Sequence, residues 1–177
     1  MVKLRYMTWA EYGDLSAELV ERVRRKAQPF DLVIGIARGG IPLAMVLSDE
    51  LGVGIDIINV KSYGGIAKRE EPKIVSTVTE EVKGKSVLVV DDLVDEGATM
   101  QTVLNHFRKD GVGVLKTAVL FKKPWSKFDP DFCLETLDDW VVFPWEKGEV
   151  RRILEEQKRK KSEALHKGAK KRASRAE

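Results

Sequence analysis

Short apolar runs that lead through glycine turns into helical patterns are the feature that most restricts the fold of this sequence. The run DLVIGIARGG at 31–40 precedes a helical pattern, IPLAMVLSDEL, that stops at Gly52. Another β-branched run, GIDIINV at 54–60, follows that helix. Strand, turn, helix and strand form a βαβ unit, and strands without polar alternation are typical of a parallel sheet covered on both faces. We therefore predict an α/β fold with a mainly parallel twisted sheet flanked by helices.

The remaining pattern extends this arrangement in both directions along the chain. Thr8 and Glu11 have the spacing of a capping box, and helical periodicity follows as far as residue 26, before Pro29. The polar, glycine-bearing stretch at 61–72 is a long loop, a type that is usually functional or disordered in compact domains. The other predicted elements are strands at 73–79, 86–90 and 114–121, a helix at 98–109 closed by Gly111, and a last helix that starts near residue 147.

Length and composition favour a single globular domain. The chain has 177 residues, enough for one substantial core, and no apolar run approaches the roughly 18 residues that span a bilayer. The N-terminal sequence lacks the apolar segment and small-residue cleavage site of a signal peptide. Cys133, the single cysteine, can form no internal disulfide and is interpreted as a small buried hydrophobe. We expect a cytoplasmic protein with no membrane contact.

Charge is distributed unevenly along the chain. Residues 147–177 hold 12 Lys and Arg against 5 Asp and Glu, a net charge of +7, whereas the other 146 residues hold 19 against 23 and carry −4. We expect this segment to be a basic helix that ends in a partly disordered tail. An arm for a polyanion is the alternative, although the segment has no aromatic interleaving and no recognisable nucleic-acid module.

The acidic stretch SVLVVDDLVDEGATMQT at 86–102 is the strongest functional signal. Asp91 and Asp92 follow a buried strand, and Asp95 precedes a small-residue turn into a helix. In such a sheet the strand tip and the next helix N-terminus meet at the ligand-binding edge. Backbone N–H groups of such a turn suit phosphate, and carboxylates suit Mg²⁺ or sugar hydroxyls. The alternative, a helix cap with surface charges, does not explain three carboxylates.

Together with other segments, this stretch resembles a known family. VLVVDDLVDEGAT is similar to the phosphoribosyl pyrophosphate (PRPP) signature of the type I phosphoribosyltransferases. IARGG, KSYGG, FKKP and WVVFPWE follow the order found in the 6-oxopurine branch, and most closely resemble xanthine-guanine (hypoxanthine) phosphoribosyltransferases. The resemblance implies a phosphoribosyltransferase domain over 1–146. It also implies a small hood over the base site, built from N-terminal residues and about 125–146, with 147–177 outside the domain.

The resemblance assigns the PRPP site residue by residue. It implies that Asp91 and Asp92 hold the ribose hydroxyls and bind a metal, directly or through PRPP. Asp95 takes the catalytic acid/base role at the purine N7 proton, with a plain N-cap as the alternative. The phosphate loop, defined as residues 95–99, comprises Asp95, Glu96, Gly97, Ala98 and Thr99. The pyrophosphate site comprises Arg38 and Gly39, with a cis peptide near Ala37–Arg38, and Ser62 and Tyr63 at the start of a closing loop.

The base site follows from the same resemblance. Lys123 is implied to contact the purine 6-oxo group, Trp140 to stack on the base, and Val141 to recognise its edge through the backbone. A surface lysine and a core tryptophan are the alternatives. Two positions depart from the family pattern: Glu96 replaces a usual Thr beside the phosphate, and Val142 replaces an acidic residue, which makes hypoxanthine a candidate base.

The implied activity is purine salvage. Purine and PRPP would give the nucleoside 5′-monophosphate and pyrophosphate, with Mg²⁺ as cofactor, in a homo-oligomer that is a dimer or a tetramer. The alternative function is a PRPP-sensing regulator that uses its basic tail on nucleic acid. Because a sensor needs no base pocket, the presence of Asp95, Lys123 and Trp140 favours the enzyme, and we expect no nucleic-acid partner.

Overall fold

The computed structural model describes residues 3–26, 29–61 and 71–173, with side chains up to residue 160. The described residues divide into two compact units, a smaller one within 1–12 and 139–177 and a larger one within 13–138. In chain order the elements are β1 (Leu4–Tyr6), α1 (Trp9–Lys26), β2 (Leu32–Ala37), α2 (Gly40–Leu51), β3 (Gly54–Lys61), β4 (Lys73–Ser76), β5 (Ser86–Val94), α3 (Ala98–Lys109), β6 (Val114–Lys122), β7 (Phe132–Thr136), β8 (Trp140–Val142) and α4 (Lys147–Ala173).

The larger unit is built on a six-stranded sheet in the order β4-β3-β2-β5-β6-β7. Every pairing in it is parallel except the pairing of β3 with β4. α2 covers one face, where Ala44 lies against Gly35 of β2. On the other face, Ile34 and Ile36 belong to a buried cluster that contains the apolar side of α3, including Phe107. The predicted parallel α/β sheet with helices on both faces is confirmed.

The order of the strands places a switch point between β2 and β5. From β2 the chain crosses through α2 to β3 on one side, whereas from β5 it crosses through α3 to β6 on the other side. The β2–β5 pairing ends at Gly35 and Val90, although β5 continues to pair with β6 as far as Val94. The two strands therefore part before their carboxyl ends, and this is where open α/β sheets bind ligands.

The smaller unit contains a short parallel pair and an aromatic cluster. β1 pairs with β8, with Leu4 opposite Trp140. The cluster joins Trp9, Tyr12, Phe143 and Trp145 through ring contacts with centroids 5.0 to 6.4 Å apart. Residues 125–138, including β7, lie within the larger unit, and the hood over the base site stays a prediction.

Local signals predicted several helix ends. The Glu11 N–H donates to Thr8 Oγ1 at 3.1 Å, so Thr8 caps α1 as predicted. The Glu11 carboxylate instead accepts from Arg5 Nη2 at 3.0 Å. Gly52 closes α2 with a φ of 68°, in the left-handed region that favours glycine. No described helix is both long and apolar enough to cross a membrane.

Two strands differ in length from their predictions. β4 ends at Ser76 rather than at 79, because the next residues leave the sheet and Thr79 binds Asp56 through its backbone N–H at 2.7 Å. β5 runs to Val94 rather than ending at Val90, so Asp91 and Asp92 lie within the strand instead of at its tip. Pairing with β6 supplies the hydrogen bonds that extend β5.

A glycine substitution tests the close packing at the switch point. A Cβ atom on Gly40 would lie 2.3 Å from the Val90 carbonyl oxygen and 3.0 Å from the Asp91 Cα. Because both neighbours are backbone atoms, Gly40→Ala is expected to lower the free energy of unfolding by about 1–3 kcal/mol in urea denaturation.

Gly13→Ala in α1 is the matched control. A Cβ atom there would meet nothing within 4 Å, so we expect an increase in the free energy of unfolding of about 1 kcal/mol from helix propensity. Equal stability of Gly40→Ala and the unmodified protein would contradict the packing argument.

Candidate active site

The 95–99 loop leads from β5 into the N-terminus of α3. Gly97 caps α3 with a φ of 92°, and a Cβ atom there would lie 2.3 Å from the Phe128 Cβ. Glycine is therefore required both by the backbone conformation and by the contact. The first N–H groups of a helix have no partner within the helix, and the helix dipole favours negative charge at this end. The loop is suited to binding an anion such as phosphate.

The two neighbouring aspartates of β5 have carboxyl groups that interact with each other. Asp91 is in register with Val119, a member of the buried cluster on the α3 face. Asp92 lies on the α2 face, because its Oδ2 is 2.1 Å from where a Gly39 Cβ would be. The Asp91 Oδ1 accepts the Asp92 N–H at 3.0 Å. The two carboxyl groups also lie within hydrogen-bonding reach of each other, so one ligand can meet both.

Burial raises the pKa of the Asp91 carboxyl group. Removal of its carboxyl group from water raises the pKa well above its ordinary value, and repulsion from the charge of Asp92 raises the pKa further. A carboxyl group in this setting is stabilised by a ligand that brings positive charge or hydroxyl donors. Sugar hydroxyls and magnesium ions both meet that requirement.

The turn between β2 and α2 lies beside these aspartates. The peptide bond between Ala37 and Arg38 is cis, which confirms the predicted cis peptide. Gly39 faces the Asp92 carboxylate, and any larger residue would occupy the space of the carboxylate oxygens. This turn thus contacts β5 at Asp92, three residues before the 95–99 loop begins and beyond the point where β2 and β5 stop pairing.

A segment after β6 runs alongside the 95–99 loop. The Lys123 N–H donates to the Val94 carbonyl at 2.9 Å, and the Lys127 N–H donates to the Glu96 carbonyl at 3.3 Å. Lys123 is 7% exposed, and its Nζ lies 5.6 Å from the centre of the Trp125 ring system. The predicted lysine is therefore buried close to the acidic loop.

Trp125 is a site residue that the sequence analysis missed. Its indole Nε1–H donates to Asp95 Oδ1 at 2.7 Å, although 54% of the residue is exposed. A tryptophan directly after the FKKP motif, in a polar segment, was a signal that could have identified it. Trp125 also borders a cavity of about 530 Å³ beside the loop, lined by Glu96, Gly97, Ala98, Gln101, Trp125, Lys127 and Phe128.

The remaining predicted residues lie elsewhere. Trp140 and Val141 are on β8 in the smaller unit, and Ser62 and Tyr63 lie outside the described residues. Glu96 is exposed on the loop. The larger unit brings together Asp91, Asp92, Arg38, Gly39, Lys123 and the 95–99 loop.

The backbone of β8 has one edge turned away from β1. The Trp140 N–H donates to the Lys3 carbonyl at 2.9 Å, and the Met7 N–H donates to the Val142 carbonyl at 3.0 Å. Because successive residues of a strand direct their backbone groups to opposite edges, the N–H and C=O of Val141 point away from β1. Within the described ranges, β1 is the one strand that pairs with β8. The Val141 backbone is thus oriented for an edge-on contact.

Comparison with known proteins agrees with this geometry. Residues 8–150 match the phosphoribosyl transferase domain family. A xanthine-guanine phosphoribosyltransferase from Idiomarina loihiensis is 31% identical over 144 residues, 80% of this chain and 86% of that protein. A purine phosphoribosyltransferase structure from Pyrococcus horikoshii has a TM-score of 0.74 and 35% identity, covering 82% of this chain and 95% of that one. A hypothetical protein from Neisseria gonorrhoeae, solved with bound ppGpp, has a TM-score of 0.72 and 26% identity, with coverages of 89% and 98%.

The raised pKa of Asp91 predicts a pH-dependent stability. The unfolded chain ionises this carboxyl group at its ordinary pKa, whereas the folded protein ionises it at higher pH. Folding is therefore opposed in full by the Asp91 charge above the folded pKa, and this opposition decreases as the pH falls from that value towards the ordinary pKa, below which it is absent. Asp91→Asn keeps an oxygen that can accept the Asp92 N–H. We expect it to raise the free energy of unfolding at pH 8 by more than at pH 5, measured by urea denaturation.

Asp49→Asn, at an exposed carboxyl group on α2, is the control and should change stability by less than about 0.5 kcal/mol at either pH. A uniform effect of Asp91→Asn at both pH values would show that burial does not perturb this group.

Proposed function

The chain belongs to the phosphoribosyl transferase domain family, and on that premise we propose that it is a purine salvage phosphoribosyltransferase. It would transfer the 5-phosphoribosyl group from PRPP to a 6-oxopurine, giving the nucleoside 5′-monophosphate and pyrophosphate. The observation that supports this most strongly is the contact of the cis turn with Asp92, on the strand that leads into the 95–99 loop, where β2 and β5 stop pairing. In the proposal, the turn and the loop each bind one anionic group of PRPP.

The residues of the larger unit divide the binding of PRPP among themselves. In the proposal, backbone N–H groups of the phosphate loop hold the 5′-phosphate at the N-terminus of α3. Asp91 and Asp92 together hold the ribose hydroxyls. Arg38 and Gly39 hold the pyrophosphate, because glycine allows close backbone approach and arginine supplies a charged fork. Ser62 and Tyr63 belong to the proposed closing loop.

Asp95 supplies the proton chemistry in this proposal. The purine N9 lone pair forms the bond to the ribose C1′, while the bond from C1′ to the pyrophosphate oxygen breaks and the electron pair leaves with pyrophosphate. Asp95 accepts the N7 proton of the purine as that bond forms. The nearby carboxylates also stabilise positive charge that develops on the ribose.

In the proposal, the choice of purine base depends on hydrogen-bond donors and on an exposed aromatic ring. An ammonium group such as that of Lys123 can donate to a 6-oxo group, whereas the 6-amino group of adenine offers donors instead. Trp140 is 52% exposed, so a large ring face is accessible for stacking on the base. In the proposal, the Val141 backbone groups that point away from β1 bind the base edge. Because Val142 is apolar and buried, we include hypoxanthine with guanine and xanthine as substrates.

Magnesium is part of the proposal as a partner of PRPP. Among the residues the structure describes, no group of three or more His, Cys, Asp or Glu side chains is arranged to hold a metal ion. Asp91 and Asp92 offer two carboxylates, and Mg²⁺ commonly binds one or two carboxylates together with substrate phosphates. The residues therefore fit an ion shared with PRPP, which would neutralise charge on the departing pyrophosphate.

Three further features complete the proposal. We expect a cytoplasmic location and a homo-oligomer, either a dimer or a tetramer. The PRPP-sensing regulator that binds nucleic acid remains the alternative, and the comparisons give it no support. It would show salt-dependent RNA or DNA binding without nucleotide synthesis.

The deciding experiment measures pyrophosphate release. The protein is incubated with PRPP, Mg²⁺ and adenine, hypoxanthine, guanine or xanthine, with an EDTA arm to test the metal. We expect release with at least one 6-oxopurine, little with adenine, and none in EDTA. Absence of release with every 6-oxopurine would refute the proposed function.

Removing the proton acceptor tests the role of Asp95. Asp95→Asn keeps the shape of the side chain but cannot take up the N7 proton, so kcat is expected to fall about 10²- to 10⁴-fold. The KM for PRPP should change little, because backbone groups hold the phosphate. Steady-state kinetics measures both parameters, and unchanged turnover would exclude Asp95 as the base.

Removing the exposed ring tests the role of Trp140. Stacking of a base on an aromatic side chain contributes about 1–3 kcal/mol, so Trp140→Ala should raise the KM for the purine at least about fivefold. The KM for PRPP should stay within about twofold. Trp9→Ala is the matched control, because Trp9 is 60% exposed but belongs to the aromatic cluster. An equal rise in both variants would mean that Trp140 acts only through the stability of its unit.

A further inference from the structure

The Trp125 indole holds the carboxylate on which the proposed chemistry depends. Asp95 is an exposed residue in a loop, where side chains have access to several rotamers unless a contact selects one. The 2.7 Å bond from the Trp125 Nε1–H to Oδ1 is a hydrogen bond to a charged acceptor, which is stronger than one between neutral groups. It fixes one oxygen of Asp95 in a defined place.

Backbone hydrogen bonds hold the segment that carries Trp125 against the 95–99 loop. Backbone hydrogen bonds from Lys123 to Val94 and from Lys127 to Glu96 flank the Trp125–Asp95 bond on both sides. The Ser126 N–H also donates to the Lys123 carbonyl at 3.0 Å, closing a turn around Trp125. The side-chain bond therefore lies between two backbone bonds that join the same pair of segments. Because its segment is held in this way, the Trp125 N–H can fix the position of the Asp95 carboxylate.

The same indole also lies next to the buried lysine. Lys123 Nζ is 5.6 Å from the centre of the Trp125 ring system, within the range of a cation–π contact. A cation near the ring draws electron density from it and makes the N–H a better donor. One side chain thus contacts both the carboxylate proposed to take the N7 proton and the ammonium group proposed to bind the 6-oxo group. These two purine atoms lie on the same edge of the base.

From this arrangement we propose that Trp125 is a positioning residue, which fixes Asp95 relative to Lys123 at the spacing of the O6 and N7 atoms of a 6-oxopurine. The inference rests on the proposed function and adds to it a residue that acts through Asp95. Trp125 exchanges no proton with the substrate and makes no bond to it. Its contribution is to the geometry of proton transfer, so its loss should affect turnover more than PRPP binding.

The kinetic test compares two phenylalanine substitutions. Trp125→Phe removes the N–H donor but keeps an aromatic ring, and we expect kcat with the preferred 6-oxopurine to fall about tenfold with the KM for PRPP within twofold. Trp9→Phe, in the aromatic cluster of the smaller unit, should leave both parameters unchanged. In an Asp95→Asn background, Trp125→Phe should produce no further loss, because the residue to be positioned no longer takes up a proton.

A spectroscopic measurement tests the hydrogen bond without relying on turnover. In ¹H–¹⁵N spectra, the indole Nε1–H resonance of Trp125, assigned by its loss in Trp125→Phe, should move upfield in Asp95→Ala. The indole resonances of Trp9 and Trp140 should stay in place. An unmoved Trp125 resonance would overturn the inference directly.

The kinetic results separate failure of this inference from failure of the proposed function. Full kcat in Trp125→Phe, together with loss of activity in Asp95→Asn, would overturn the positioning role and leave the proposed function standing. A loss in Trp125→Phe that appears as a raised KM for PRPP at unchanged kcat would also overturn it. Absence of activity in the unmodified protein would refute the proposed function itself.

Discussion

The turn after β2 touches the backbone of β5, and the site depends on this contact. Gly40 leaves room for the Val90 carbonyl oxygen, and Gly39 leaves room for the Asp92 carboxylate. The contact occurs where the pairing of the two strands ends. Each strand then continues through a short loop into a helix, α2 or α3. Close packing at one point thus holds both loops at the edge where open α/β sheets bind ligands.

Strand β5 contains a fully buried apolar segment that is followed directly by two aspartates. Val87 to Val90 are fully buried between β2 and β6, and the next two residues are aspartates. Burial raises the pKa of Asp91, so this charge opposes folding while the preceding valines favour it. Active sites often lower the stability of a protein, because charged groups that bind the ligand are unfavourable in its absence. The buried valines supply the stability that allows such a site at the end of β5.

The fold was largely predictable, because its main elements have strong local signals. Apolar runs without alternation identified the parallel strands, and Thr8 and Gly52 marked helix ends through short-range hydrogen bonds and backbone preference. The β1–β8 pair was not predictable. Each strand has three residues, too few to show a period, and their partners lie more than 130 positions apart in the sequence.

Tertiary register explains why part of the site was missed. Asp95 and Trp125 are 30 positions apart, and no local pattern links them. They meet because β5 and β6 run parallel with Val94 beside Lys122, so the residues that follow the two strands emerge together. The family motif identified Asp95 and Lys123 separately, whereas the residue that contacts both required the paired strands to be seen.

The orientation of β8 has an evolutionary consequence. The hydrogen-bonding groups that Val141 presents away from β1 belong to the main chain, so they are present with any side chain except that of proline, which removes the N–H. Most point mutations of Val141 therefore leave in place the backbone groups to which we assign the proposed contact with the base edge. Under that proposal, changes in base preference arise more directly from flanking side chains, such as Trp140 and Val142, or from a shift in the pairing of β8.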